Sequence, residues 1–394
     1  MTHPSTPPAG SGLPRPAVTG AAVATRAALK RARSGMPWLR PDDIVSYDGD
    51  GGPFCDLTDD AGLPVGTALW DKDSGIRARL LSTTRTRDPL GLLITRLERA
   101  EHRRSALIGS DPHAAVRLCH GEADAVPGLF VDRFGDGLHV DVDAAGLLPW
   151  LDELLAGTIA RQQSARVVLR PPHGSGAQTT QLLGTSSMQT YHHDRLQLEV
   201  DLAGNDIRRL SAELDAMSRL RPWAKGRVLD VYANTGGFGL HLAAAGAQQA
   251  VLVDESPALP ERARTAALKN GLANKVDVVT AEPVAWLKQV QTSFDVVVCH
   301  PPHEALPREK AEKRAVDIAT SALKHVNEGA IFCARSASAS LDDERFAAAL
   351  QDAGTQLRRR LQVLARLGPG PDHPTLAGTP MPPSILVMRV LNTG

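Results

Sequence analysis

The chain has 394 residues, enough for two or three domains, with an apolar fraction of 42% that suits a globular protein. It carries 44 lysines and arginines against 44 aspartates and glutamates, so a protein coated in positive charge is excluded, but a local basic face is not. No apolar run approaches a membrane span, and Cys55, Cys119, Cys299 and Cys333 lie too far apart for a zinc pattern. The expectation is a cytoplasmic protein with reduced thiols and no membrane contact.

Residues 1–21 are rich in Pro, Gly, Ser and Thr and lack the apolar core of a secretory signal. They are expected to form a disordered tail. Residues 22–87 read as short strands with turns, a small β-barrel. Asp48–Pro53 and Asp59–Gly62 are turn signals, with strand patterns at Phe54–Leu57, Val65–Leu69 and Ile76–Leu81. Trp38 can stack on a base or fill the barrel core. Between Ile76 and Arg104 stand eight arginines: Arg77, Arg79, Arg85, Arg87, Arg96, Arg99, Arg103 and Arg104. They read equally as a phosphate-contacting surface or as a solvated helix paired with Glu98 and Glu101.

Residues 88–111 have helical spacing, with Leu92, Leu93 and Leu97 apolar, and are expected to bridge two domains. Residues 112–201 read as a middle α+β domain, with a helix over Leu147–Gln162 and a strand over Arg166–Arg170. His120, Glu122 and Asp124 resemble a metal-ligand run, but a hydrogen-bonded turn is the favoured reading, and no metal is expected. The middle domain shows no catalytic constellation.

Residues 202–394 contain the stretch with the most chemistry. Val228–Val231 is a strand around Asp230, Asn234-Thr235-Gly236-Gly237 is a turn, and Phe238–Ala247 suits a helix. The glycines let the backbone approach a ligand, and the helix N-terminus offers amides. A second strand ends at Asp254 and Glu255, where a carboxylate can take two ribose hydroxyls. A third ends before Glu282, which can meet a ligand or cap the helix after Pro283. The fourth, Phe294–Cys299, runs into His300-Pro301-Pro302. Helices over Ala258–Asn270, Lys310–His325 and Asp342–Ala353 and strands over Ala330–Ala334, Leu357–Ala365 and Ser384–Leu391 complete the pattern. The expected fold is α/β: a seven-stranded, Rossmann-like, mostly parallel sheet with its final strand antiparallel.

These strand ends, followed by Pro-Pro, resemble the class I S-adenosylmethionine-dependent methyltransferases. With Arg33–Trp38, Ser74–Arg79 and Arg117–Gly135, the chain resembles the bacterial 23S rRNA large-subunit methyltransferase I family. That family joins a PUA domain and a middle domain to a methyltransferase domain and modifies cytosine C5. The resemblance implies S-adenosylmethionine as cofactor and RNA, most naturally rRNA, as partner, with a homodimer as one oligomeric option. Asn234, Thr235, Gly236 and Gly237 would wrap the amino-acid part of the cofactor above Asp230. Asp254 and Glu255 would face the ribose, and Glu282 the adenine amino group.

The chain departs from the family at three places. His300 stands where the family has Asp before Pro-Pro, and is the candidate catalytic residue by position. Ser336-Ala337-Ser338 stands where the family has Ser-Cys-Ser, so the nucleophile position holds Ala337. The stretch Asp206–Glu213 replaces a T-G-x-x-x-D-Q-R motif. Cys299 and Cys333 are possible replacement nucleophiles, but buried structural thiols are the favoured reading. Two alternatives to cytosine-C5 chemistry stand open: an RNA-binding homologue without transfer chemistry, and a methyltransferase acting on an amine or hydroxyl.

Overall fold

The computed structural model describes residues 16–108, 111–205, 207–256, 258–377, 379 and 383–393. Most of the expected tail therefore lies outside the described residues. Its last two residues do not belong to a tail, because Gly20 and Ala21 already pair within a sheet. The chain forms two compact units, the first comprising the chain through Tyr191 with Asp201–Ser211 and Pro371–Pro380.

The first unit begins with a six-stranded sheet. Its strands are β1 (Gly20–Ala24), β2 (Trp38–Leu39), β3 (Ile44–Gly49), β4 (Phe54–Thr58), β5 (Pro64–Trp70) and β6 (Ala78–Ser82), in the order β2-β6-β5-β4-β1-β3. Strand patterning had not suggested α1 (Arg26–Arg33), a short, arginine-rich helix. Thr25 caps it by accepting the amide of Ala28, and only Ala28, Leu29 and Ala32 are buried. Three small apolar positions are too few to show a helical period in the sequence.

Next comes α2 (Pro89–Ile108). Leu90, Leu93, Leu97, Ala100 and Arg104 are buried at alternating spacings of three and four, one face of a helix. The leucines share one apolar cluster with Phe54, Leu69 and Leu81 of the first sheet and with Leu118, Val131 and Val140 of the next. Each buried leucine contributes roughly 1.5–3 kcal/mol. The expected bridge between two domains is thus the middle of one core, and the segments 22–87, 88–111 and 112–201 belong to a single unit.

The second sheet consists of β7 (Val116–His120), β8 (Leu129–Phe134), β9 (Gly137–Val142), β10 (Arg166–Arg170) and β11 (Thr180–Leu183), in the order β11-β10-β9-β8-β7. Helix α3 (Leu151–Arg161) starts later than expected because Ala145–Trp150 is a tight turn containing Pro149. Proline lacks the amide that an α-helix interior needs. A two-stranded sheet, β12 (Met188–His193) with β13 (Leu196–Asp201), follows.

Buried ion pairs organise the turn after β7. Asp124 accepts both Arg104 nitrogens at 2.6 Å, Arg103 at 2.8 Å and the His120 amide at 2.7 Å. Glu122 instead accepts Trp38 Nε1 at 2.9 Å and lies 3.3 Å from Arg79 Nε. The run that resembled metal ligands is a hydrogen-bonded turn whose carboxylates face different partners. Nearby, Arg117 forks onto Asp132, which also accepts Ser211 Oγ. His373 Nδ1 meets Asp372, whose other oxygen accepts the Arg117 amide. Asp201–Ser211 and Pro371–Pro380 group with the first unit, beyond the expected boundary at 201/202.

The second unit holds His192–Val200, Ala212–Gly370 and Met381–Gly394. After α4 (Ile207–Leu220) come β14 (Arg227–Val231), α5 (Gly237–Ala245), β15 (Gln249–Asp254), α6 (Ala258–Lys269), β16 (Val276–Thr280), α7 (Pro283–Gln289) and β17 (Phe294–Cys299). They are followed by α8 (Arg308–Leu323), β18 (Val326–Ala334), α9 (Asp343–Gln356), β19 (Arg359–Leu367) and β20 (Ile385–Asn392). The sheet runs β16-β15-β14-β17-β18-β20-β19, with β20 antiparallel to both neighbours and the other pairings parallel. Val228, Leu229, Val231 and Val296–Val298 are fully buried, as central strands covered on both faces require.

Burial pushes the His120 imidazole down to about 3, helped by the adjacent Arg117 charge and by His373, against Asp132 and Asp124. Burial also lowers His373 and takes His241 to about 4. The unfolded chain binds protons below about 6.5. Stability is therefore full above that pH and falls as pH drops from there toward 3, because the unfolded state takes up protons that the fold refuses. The thermal midpoint should fall between pH 7 and pH 5 in the wild type, and His120→Gln should show a shallower slope. Identical slopes would remove His120 from the account.

Candidate active site

The turn between β14 and α5 has a backbone that few sequences tolerate. Tyr232 has φ +63° and Asn234 φ +53°, both left-handed. Such conformations cost about 1–3 kcal/mol each unless their surroundings impose them. Here the surroundings are two carboxylates. The Asn234 amide donates to Asp254 Oδ2 at 2.9 Å, while Asp254 Oδ1 accepts the Ser256 amide at 3.0 Å. The Ala233 amide donates to the Val253 carbonyl. Below the turn, Asp230, 1% exposed, accepts the Gly239 amide at 2.8 Å.

The glycines serve a purpose the sequence did not show. Gly236 sits at φ +83°, and a Cβ there would lie 2.5 Å from Leu252 Cδ2. On Gly237 it would lie 2.6 Å from Met217 Cε. Both absences of a side chain let α5 settle onto neighbouring protein, rather than only clearing room for a ligand. Thr235 is half-buried beside them.

Asp254 is half-buried at the end of β15, and Glu255 beside it is exposed. Each Asp254 oxygen accepts one amide, which leaves acceptor capacity on a carboxylate. Glu282 caps α7, accepting Val284 N at 3.1 Å and Ala285 N at 2.6 Å. The helix cap foreseen for it is present, and it uses both carboxylate oxygens.

His300 directly follows β17, and its amide donates to the Val231 carbonyl at 3.3 Å. Its ring is only 2% exposed, edge-on to Phe238 with centroids 4.5 Å apart. Nδ1 lies 3.6 Å from Glu213 Oε1, which also takes Arg335 Nη1 at 2.8 Å. The Arg335 amide donates to the Cys299 carbonyl. His300, Glu213 and Arg335 therefore meet around one carboxylate oxygen. Glu213 was not foreseen, since the Asp206–Glu213 stretch showed none of the family's polar residues; of that stretch, Asp206 lies outside the described residues. The available signal was a lone acid on the buried face of an amphipathic helix, beside Leu214 and Met217.

A pocket beyond the strand ends is lined by Cys299, Pro301, Leu306, Arg314, Ala337 and Ser338 among others. The Ala337 carbonyl accepts the Glu304 amide at 2.7 Å. Cys299 and Cys333 are the two thiols weighed as replacements for Ala337. Cys299 and Cys333 are buried, and burial pushes the Cys299 thiol up to about 12 and raises that of Cys333 further. A buried thiol in apolar surroundings stays protonated and inert.

Residues 25–83 match the family described as PUA-like domain, and residues 228–326 match the family described as methyltransferase domain. The ribosomal RNA large subunit methyltransferase I of Photobacterium profundum is 26% identical over 366 residues, covering 88% of this chain and 92% of that protein. A ribosomal RNA large subunit methyltransferase of Deinococcus radiodurans is 28% identical over 389 residues, covering 89% and 92%. A solved methyltransferase in complex with SAH has a TM-score of 0.81 at 15% identity, covering 94% of this chain and 99% of that one, which establishes a shared fold. The chain thus carries a PUA-like domain followed by a methyltransferase domain, and over nearly its whole length it is similar to ribosomal RNA large subunit methyltransferases.

Proposed function

We propose that this S-adenosylmethionine-dependent methyltransferase modifies ribosomal RNA, at an atom that needs no cysteine adduct. One observation carries the RNA assignment: relatives named as rRNA methyltransferases match nearly the whole chain, the PUA-like domain included. When bound, S-adenosylmethionine supplies an electrophilic methyl group. The chain's residues fit such a cofactor at the strand ends. The backbone of Asn234, Thr235, Gly236 and Gly237 would enclose the amino-acid part, and Asp230 would hold the turn from below. Asp254 would accept the ribose hydroxyls with the lone pairs its two amides leave free, with Glu255 beside it. Glu282, already capping α7, would reach the adenine amino group only with what acceptor capacity remains.

Against cytosine C5 stands the lack of a thiolate. C5 gains nucleophilicity when a Cys adds to C6 of the ring, and Ala337 cannot form that bond. An amine or hydroxyl needs a proton acceptor instead. His300, supported by Glu213, is the proposed catalytic group for that task, acting as a base from its neutral form. Arg335 shares the same carboxylate.

Three measurements test this reading. Calorimetry should show S-adenosylhomocysteine binding to the wild type, weakened about tenfold or more in Asp254→Ala, as losing hydrogen bonds to a charged group predicts; no heat at millimolar ligand would remove the assignment.

RNA affinity should fall as salt rises. Replacing the exposed Arg85, Arg87, Arg99 and Arg103 together by Gln should weaken binding and flatten the salt slope. Arg79 and Arg104 are buried in ion pairs and are not part of that surface. Unchanged binding in the quadruple variant would place the RNA face elsewhere.

RNA containing 5-fluorocytosine should trap no covalent adduct, while labelled methyl groups from the cofactor should enter RNA and be lost in His300→Asn with S-adenosylhomocysteine affinity retained. An adduct that vanishes in Cys333→Ala or Cys299→Ala would overturn the reading. No methyl incorporation beside intact RNA binding would leave a binding protein without transfer chemistry.

A further inference from the structure

The second unit contains a cluster that cofactor and RNA binding do not use. His193 closes β12, and Asp194 begins the two-residue turn to β13. Asp194 and Arg195 have φ +49° and +70°, the consecutive left-handed pair that tight hairpins require. That turn sets the Asp194 carboxylate beside the His193 ring. His241 comes from α5 and is 1% exposed. One ligand atom from each of His193, Asp194 and His241 lies within 4.8 Å of the others.

The protonation pattern of His241 follows from its contacts. Its Nδ1 lies 2.6 Å from the Gly237 carbonyl, and a carbonyl only accepts, so Nδ1 carries the hydrogen. Nε2 then presents its lone pair to His193 Nδ1 at 2.8 Å. Backbone carbonyls that fix the far nitrogen in this way are the usual support of metal-bound histidine. Arg221 Nη1 lies 3.5 Å from Asp194 Oδ2. Ser218 Oγ lies 3.4 Å from His193 Nε2, ready to take that nitrogen's hydrogen.

From this geometry we propose that His193, Asp194 and His241 form a site for a divalent cation of the zinc class. Two imidazoles and a carboxylate suit that class better than the oxygen-only sites of magnesium or calcium. Metal–nitrogen bonds of about 2.0–2.1 Å at a tetrahedral angle need the nitrogens roughly 3.4 Å apart. The His193 nitrogen must therefore retreat by roughly 0.6 Å from its present 2.8 Å, and its Nδ1 hydrogen moves to Nε2, where Ser218 accepts it. A bound ion would clamp the β12–β13 hairpin to α5, the helix that starts at the cofactor turn. In the ion-free state the same atoms are held by a His193–His241 hydrogen bond.

The test uses the full chain stripped with a chelator. Titration with Zn²⁺ should show a stoichiometric site and a rise in the thermal midpoint, and Co²⁺ should give the strong visible absorption of a tetrahedral site. His193→Gln and Asp194→Asn should each weaken Zn²⁺ affinity at least about tenfold, with circular dichroism unchanged. Ser218→Ala should retain binding. His241→Gln should abolish it; if that variant does not fold, the two exposed-side variants decide. Failure of the wild type to bind, or binding undiminished in both His193→Gln and Asp194→Asn, would overturn the proposal. Neither outcome bears on S-adenosylhomocysteine binding, which is measured separately.

Discussion

The contact on which the methyltransferase unit depends is the amide of Asn234 donating to the Asp254 carboxylate. It joins the turn after β14 to the end of β15. With the Gly239 amide on Asp230, it holds two non-glycine residues in left-handed conformations that would otherwise relax. Because α5 lies close to Leu252 and Met217 through its glycines, the turn, the helix and the neighbouring strand form one rigid arrangement.

The PUA-like unit shows where a neutral protein keeps its positive charge. Several of the arginines clustered from Arg77 to Arg104 turn inward. Arg79 meets Glu122, and Arg104 forks onto Asp124. Removing one partner of such a buried pair costs about 3–5 kcal/mol, although the intact pair adds little net stability. These pairs set the position of the turn after β7. Arg85, Arg87, Arg99 and Arg103 are exposed, with Arg85 paired to Asp56 and Arg103 to Asp124.

At the end of β17 stand the residues on which the proposed departure from cytosine-C5 chemistry rests. His300 and Ala337 stand at the two positions, and both nearby thiols lie within apolar strands. Burial raises both thiols, because a thiolate there would lose its hydration. Glu213, on α4, brings a carboxylate oxygen to 3.6 Å from His300 Nδ1.

Much of this was legible in the residues. The apolar runs Val228–Val231, Ala250–Val253 and Phe294–Cys299 fall within β14, β15 and β17, because central parallel strands are buried on both faces and tolerate few polar side chains. The glycine turn and the acids at the strand ends were equally plain, since local φ and capping chemistry depend on nearby residues. What the sequence could not show were long-range choices. Arg104 and Arg79 read as surface cations until their carboxylate partners, 20 and 43 positions further along the chain, appeared. Glu213 met His300 across 87 positions, and Asp372 met Arg117 across 255. By itself the sequence determined the sheet, its turn and its strand ends, because those follow from local periodicity and backbone conformation. The tertiary structure alone decided which charges are buried, which glycines pack against protein and which residues share a unit, because those depend on what the rest of the chain brings alongside.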